Sequence, residues 1–169
     1  MSRIFTLFLA LFFSGLSMAQ TSSTHLEVQL RILQTTVRLG DPVSMTVIIR
    51  NKNPQQSVVL RGAPGFSESG GLSVVIVNGR NEQRTLAHRP GTLSLAAAQT
   101  GSPRVILPPG ASLAVSRRER ASALFAGTGT YWVQVNYQSP LPAPGNPSVS
   151  SAIEGSQAAS NVIAIEVIQ

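Results

Sequence analysis

The amino-acid sequence predicts an all-β protein built as an antiparallel β-sandwich. Apolar and polar residues alternate with a period of two along much of the chain, and helical periodicity is nearly absent. The 14 glycines and 11 prolines among 169 residues provide turn signals between the alternating segments. They separate about eight short strands, with no regular exchange of strands and long helices. Hydrophobic residues make up 43% and charged residues 12% of the chain, which favours a folded core over disorder.

The first two predicted strands show the clearest alternation in the N-terminal half. Residues 26–32 read Leu-Glu-Val-Gln-Leu-Arg-Ile, so every second side chain is apolar. The turn Gly40-Asp41-Pro42 follows, and Asp41 is expected to support it through its short carboxylate side chain. Residues 43–49 then resume the alternation until Asn51 and the residues after it break the pattern.

The middle of the chain predicts a short strand, a hairpin and a loop. Residues 57–60 are the short strand, and residues 72–77 are a β-branched strand that ends in Asn78-Gly79. An Asn-Gly pair is a strong hairpin signal, so the polar residues 81–86 are predicted as a return arm at a sheet edge. Residues 87–103 form a loop, within which residues 93–99 are rich in helix formers and could make one or two helical turns.

The C-terminal third contains the most regular strand of the chain. Residues 104–107 lead into the turn Pro108-Pro109-Gly110. The predicted elements that follow are a strand at 111–116, a bend through 117–120, a strand at 122–125, a strand at 130–138, a long loop at 139–160 and a last strand at 161–168. In the 130–138 strand, Tyr131 and every second residue after it lie on one face, and Trp132 lies on the other.

The N-terminal segment predicts export from the cytoplasm. Arg3 precedes an apolar stretch of about ten residues, and small residues at Ser17 and Ala19 suit a signal peptidase that cleaves between Ala19 and Gln20. A membrane anchor is the alternative, but it needs about 20 apolar residues. We therefore expect residues 1–19 to be a signal peptide and residues 20–169 to be one domain. The expected location is the bacterial periplasm or the cell exterior, with no transmembrane segment after cleavage.

Two segments resemble secreted bacterial immunoglobulin-like domains. Residues 38–51, RLGDPVSMTVIIRN, are similar to the second strand of such domains. The turn at residues 107–112, LPPGAS, is followed by the spacing Phe125-x-x-x-Gly129-Thr130-Tyr131. The resemblance implies an immunoglobulin-like β-sandwich of about seven to nine strands. It also implies that Tyr131 forms a tyrosine corner, in which the hydroxyl bonds backbone a few residues upstream.

A narrower resemblance is to a family of small bacterial sandwich proteins that includes an intracellular proteinase inhibitor. The shared features are the strand that ends in asparagine, the hairpin and the Pro-Gly turn. The signal peptide and the loop at 139–160 depart from that family. Inhibition of a secreted proteinase, through loop 87–103 or loop 139–160, is therefore an alternative function.

The residue inventory argues against an enzyme and a metal or cofactor site. The chain has no cysteine and two histidines, and its carboxylates are scattered singly, without ligand spacing. His25 lies near the processed terminus, and His88 lies in a loop beside Arg89. Ser67 lies in a sequence that superficially resembles a nucleophile elbow but lacks its second glycine. We expect no catalytic residue, no bound metal and no cofactor.

Two groups of residues are candidate contacts for an unknown protein partner. Arg117, Arg118 and Arg120 form a charge cluster, which is either a patch for anionic lipid, polysaccharide or an acidic partner, or a solvated bend that protects a sheet edge. Trp132 is exposed if Tyr131 faces the core, unless loop 139–160 covers it. That loop is itself either a binding loop or a disordered connection. Nucleic acid is not expected as a partner, because the basic cluster lacks aromatic residues and the protein is exported.

Overall fold

Two β-sheets face each other in the computed structural model, which describes residues 25–61, 64–66, 71–86, 104–138, 153–154 and 157–169. The strands are β1 Leu26–Ile32, β2 Thr36–Arg38, β3 Pro42–Asn51, β4 Val58–Arg61, β5 Leu72–Asn78, β6 Gln83–Leu86, β7 Arg104–Leu107, β8 Ser112–Arg120, β9 Gly129–Gln138, β10 Ile153–Glu154, β11 Gln157–Ala159 and β12 Ile163–Ile168. One helical turn, α1 Ala121–Leu124, follows β8. The predicted signal peptide, the predicted loop 87–103 and the helical turns predicted within it lie outside the described residues.

The strand order is that of an immunoglobulin-like β-sandwich, which confirms the predicted fold class. The first sheet has three strands in the order β1-β3-β8. The second sheet has six strands, ordered β2-β12-β9-β5-β6, with β11 also paired to β9. Pairing is antiparallel in both sheets except for β2, which runs parallel to β12. A small third sheet, β10-β4-β7, completes the described strands.

Strand alternation places the core between the two sheets. In the first sheet β3 buries Val43, Met45, Val47 and Ile49. In the second sheet β9 buries Tyr131, Val133, Val135 and Tyr137, as predicted for this strand. Successive residues of each strand point to opposite faces, so every second side chain points inward. These inward side chains of the two sheets pack together as the core. Phe125 packs on Tyr131, with the ring centroids 4.8 Å apart.

Tyr131 forms the tyrosine corner that the resemblance implies. Its hydroxyl donates to the carbonyl oxygen of Gly127 and accepts from the amide nitrogen of Gly127, both at 3.1 Å. The ring is buried at the start of β9, so the hydroxyl ties the preceding turn to the core.

Asn51 fastens the end of β3 to the turn before β8. Its side chain is fully buried, and Nδ2 donates to the carbonyl oxygens of Gln56 and Leu107 at 2.9 Å and of Pro108 at 3.1 Å. Its Oδ1 accepts from the amide of Asn53 at 2.8 Å. A buried amide is stable here because each of its polar atoms has a partner.

The C-terminal strand pair is held to the first sheet by Asn161. Its side-chain oxygen accepts from the amide of Leu30 at 2.9 Å, and its nitrogen donates to the Leu30 carbonyl at 3.2 Å. Just before it, the Ser160 hydroxyl accepts from the Val135 amide at 2.9 Å, in the gap between β11 and β12. The Asn161 side chain thus satisfies the backbone amide and carbonyl of Leu30 at the free edge of β1, in the way that the backbone of a neighbouring strand would.

Several predicted boundaries are wrong for identifiable reasons. The expected bend at 117–120 is continuous strand, because β8 pairs with β3 from Ser112 through Arg120. The expected strand at 122–125 is the helical turn α1, in which Ala121 and Leu124 both face the core. The long loop predicted for 139–160 contains β10 and β11 within its described part. Strand β2 is a further element that the sequence analysis missed; it is held by its pairing with β12.

The predicted turns occur, although one uses a different residue from the one expected. The Asp41 carboxylate accepts from the Arg38 amide at 3.0 Å, and Gly110 takes a φ of 73° after the two prolines. The hairpin between β5 and β6 forms, but Asn81 rather than Gly79 has the positive φ, 62°. The Asn78 carbonyl accepts from the Asn81 amide at 3.0 Å, while the Asn78 amide donates to the Glu82 carbonyl at 3.1 Å, so the loop contains three residues and is longer than a two-residue turn.

Candidate functional site

The groups considered for catalysis are not assembled into a reactive site among the described residues. His25 lies with Nδ1 3.4 Å from the Asn53 side-chain nitrogen, and the Asp41 carboxylate serves its own turn. Within the described ranges, no three His, Cys, Asp or Glu residues lie close enough to hold a metal ion. Ser67 and His88 lie outside those ranges. The described part also has no helix with the length and apolar character needed to cross a membrane.

Trp132 lies at the centre of the outer face of the second sheet. The strand register places Trp132 between Val77 of β5 and Ala164 of β12. Val75 lies one step along β5 on the same face, opposite Gln134. Alternation also directs Val162 outward, just before β12, where it is 48% exposed. We name Val75, Val77, Trp132, Val162 and Ala164 the tryptophan face.

The tryptophan face is more apolar than the outer surface of a sandwich usually is. Outward positions of an antiparallel sheet are normally polar, because only the inner face is core. Here Trp132, Val75 and Val77 are half-buried, while Ala164 is exposed. From the sequence, Trp132 is either exposed or covered by loop 139–160. In the structure Trp132 is partly covered, and part of its side-chain surface is accessible.

The predicted arginine cluster is divided by the strand on which it lies. Because β8 is extended, Arg117 points inward and Arg118 and Arg120 point outward. The Arg117 guanidinium contacts the Glu119 carboxylate at 2.9 Å and lies 5.4 Å from the centroid of the Phe66 ring. Arg117 therefore serves packing at the sandwich edge and is not part of an exposed patch with its two neighbours.

Arg118 and Arg120 share the outer face of the first sheet with two more arginines, which are distant from them in the sequence. Pairing with β8 and β1 brings Arg50 of β3 and Arg31 of β1 to the same surface. All four side chains are exposed. We name Arg31, Arg50, Arg118 and Arg120 the arginine face. The alternation of side chains along each strand indicates which of them point outward. The order in which the strands pair is also needed to show that these four arginines share one face.

Small polar residues lie between the arginines. Ser44 is opposite Arg118, and Ser112 is opposite Arg50. The Thr46 and Ser116 hydroxyl oxygens are 3.1 Å apart, in the row between them. A shallow depression of about 370 Å³ lies at one end of this face, lined by Glu27, Gln29, Arg31, Ile48, Arg50, Gly110 and Ser112.

Comparisons with known proteins place the chain in no family. No protein-family model matches it, and no curated protein sequence matches it. The fold assignment therefore rests on the strand topology and the core described above.

Solved structures with some similarity come from proteins of different kinds. A β-glucosidase from Listeria innocua in complex with glucose has 13% identity and a TM-score of 0.44 over 85% of this chain, which spans only 16% of that protein. The sporulation control protein Spo0M from Bacillus subtilis has 8% identity and a TM-score of 0.46, covering 87% of this chain and 51% of its own. A CARDB domain from Pyrococcus furiosus, in complex with di-metal ions, has 10% identity and a TM-score of 0.39, covering 84% and 91%. At these values the similarities assign no activity or ligand.

Proposed function

We propose that this chain is an exported, non-catalytic binding module that contacts a protein partner through the tryptophan face. The observation that carries the proposal is the position of Trp132, half-buried on an outer sheet face with valines beside it. Tryptophan is enriched among the residues that dominate binding energy at protein interfaces. Its indole ring adds a large apolar contact and a nitrogen donor on a rigid strand.

The predicted signal peptide supports the setting of this function. Cleavage between Ala19 and Gln20 would release the sandwich into the periplasm or the cell exterior, where its partner would be found. Immunoglobulin-like sandwiches serve many activities, so the proposal depends on the surface rather than on the fold. The proteinase-inhibitor alternative would use loop 87–103 or loop 139–160 in place of this face.

Affinity capture from envelope extract tests the proposal with a matched pair of variants. The test variant is Trp132→Thr with Val77→Thr, and the control is Ile48→Thr on the outer face of the first sheet. Threonine preserves strand propensity at all three positions. We expect one protein to be captured by the wild type and the control, and its affinity for the test variant to fall at least about tenfold.

The intrinsic fluorescence of the protein provides a second, direct measurement. Trp132 is the one tryptophan of the chain, so its emission reports on this face alone. The captured partner, once purified, should shift that emission on binding. No capture by the wild type, or equal capture by both variants, would contradict the proposal. A captured proteinase that loses activity and still binds the test variant would favour the inhibitor.

A further inference from the structure

We propose that the arginine face is a second binding site, for an acidic polysaccharide. It goes beyond the protein contact proposed above, because it uses the opposite outer face of the sandwich. The face carries four exposed arginines and one exposed acid, Glu27, which lies opposite Arg50. Four like charges on one side of a three-stranded sheet create a positive field that attracts a polyanion.

The four guanidinium groups are available to a ligand. No carboxylate of the described residues lies within 4.0 Å of them, in contrast to Arg117 with its Glu119 partner. The Arg31 guanidinium donates hydrogen bonds to the Gln29 side-chain oxygen, from Nε at 3.3 Å and from Nη2 at 3.1 Å. Arginine presents a planar fork of donors that matches a carboxylate or sulfate bidentately.

The spacing of the arginines suits an extended chain of anions better than a single small one. With a rise of about 3.4 Å per residue and strands about 4.8 Å apart, the Cα atoms of Arg118 and Arg120 are about 7 Å apart. The same geometry gives about 12 Å from Arg118 to Arg31 and about 14 Å from Arg31 to Arg50. The Cα atoms of the four arginines are therefore spread over the face rather than gathered around one point.

The groups between the arginines favour a sugar polymer over a lipid surface. Ser44, Thr46, Ser112 and Ser116 form a band of hydroxyls, each able to donate to and accept from sugar hydroxyls. Membrane-surface sites instead combine basic residues with large apolar side chains that enter the bilayer. On the paired strands of this face the one large aliphatic residue is Ile48, which is half-buried; just past the end of β1, Leu33 is a single leucine that is 92% exposed.

Calorimetric titration with polygalacturonate at low salt tests the proposal. The test variant replaces Arg31, Arg50 and Arg118 with glutamine. The control replaces Arg38, Arg80 and Arg84 with glutamine, so both variants lose the same net charge, and these three side chains are also exposed. We expect at least about a tenfold loss of affinity in the test variant and less than about threefold in the control. Binding by the wild type should weaken as salt rises.

Three further measurements decide between outcomes. Uncharged dextran should not bind, and vesicles containing phosphatidylglycerol should bind no more tightly to the wild type than to the test variant. Equal losses in both arginine variants, or no binding of polygalacturonate, would overturn the proposal. Binding only to vesicles would replace it with a membrane site. The Trp132→Thr, Val77→Thr variant should bind polygalacturonate normally, so this site and the proposed protein contact can fail separately.

Discussion

Replacing Asn51 should destabilise the fold by an amount that depends on the charge of the new side chain. In Asn51→Ala, the carbonyl oxygens of Gln56, Leu107 and Pro108 lose a donor and the Asn53 amide loses its acceptor. The two amide protons and one oxygen of Asn51 give about three net hydrogen bonds at roughly 0.5–1.5 kcal/mol each, so we expect a loss of about 2–4 kcal/mol. That is a large part of the 5–15 kcal/mol that is typical of a domain.

Asn51→Asp should be worse than Asn51→Ala at neutral pH. A buried carboxylate oxygen would take the place of the Nδ2 donor and face the carbonyl oxygens of Gln56, Leu107 and Pro108. An unpaired buried charge costs at least about 3–5 kcal/mol, so little stability should remain. Burial favours the protonated acid and raises its pKa above the unfolded value. The aspartate variant should therefore gain stability relative to the alanine variant as pH falls, and lose it as pH rises through the raised pKa.

Urea unfolding followed by Trp132 fluorescence measures these differences. Asn53→Ala is the control, because its side-chain oxygen accepts two amide hydrogen bonds in an exposed loop. Because both bonds are exposed and water can replace them, Asn53→Ala should cost less than Asn51→Ala, at about 1 kcal/mol. The slope of unfolding free energy against urea concentration should be the same in the variants as in the wild type, because that slope reports the surface exposed on unfolding. An aspartate variant as stable as the alanine variant at pH 7 would refute the reasoning.

Two other substitutions test single contacts in the same urea assay. Gly71→Ala should cost at least about 2 kcal/mol, because Gly71 has a φ of +70° and a Cβ would clash with the Gln138 carbonyl oxygen. Gly79→Ala, which has open space and no positive φ, should change stability by no more than about 1 kcal/mol; equal effects would contradict this explanation. Tyr131→Phe keeps the ring packing and removes both hydrogen bonds to Gly127, so it should cost about 1–2 kcal/mol. A cost below about 0.5 kcal/mol would mean that the tyrosine corner contributes little to stability.

The outcome for β9 shows how much of the fold is predictable from alternation. Tyr131, Val133 and Val135 face the core as the period of two requires, and the tyrosine corner forms. Alternation predicts direction well because it depends only on neighbouring residues of one strand. It predicts strand ends less well. Strand β8 extends through Arg120 because β3 supplies hydrogen-bond partners that are distant in sequence.

Short strands are the elements that local patterns miss. Strands β2 and β11 have three residues each, and β10 has two. Three residues give too little alternation to distinguish a strand from a loop. These strands exist because β12, β4 and β9 offer edges to which they bond. Their stability comes from pairing with those longer strands rather than from local propensity.

By itself, the sequence determined the fold class, the inward and outward parity of the main strands, and the turns at Asp41 and Gly110. Those features follow from side-chain periodicity and from residues with special backbone preferences, which act over a few positions. Only the tertiary structure decided that Arg31 and Arg50 join Arg118 and Arg120, while Arg117 turns inward to Glu119. The alternation along a strand decides whether a side chain points inward or outward. The order and register of strand pairing decide which outward side chains become neighbours. That choice is made by hydrogen bonds and core packing between residues far apart in the chain.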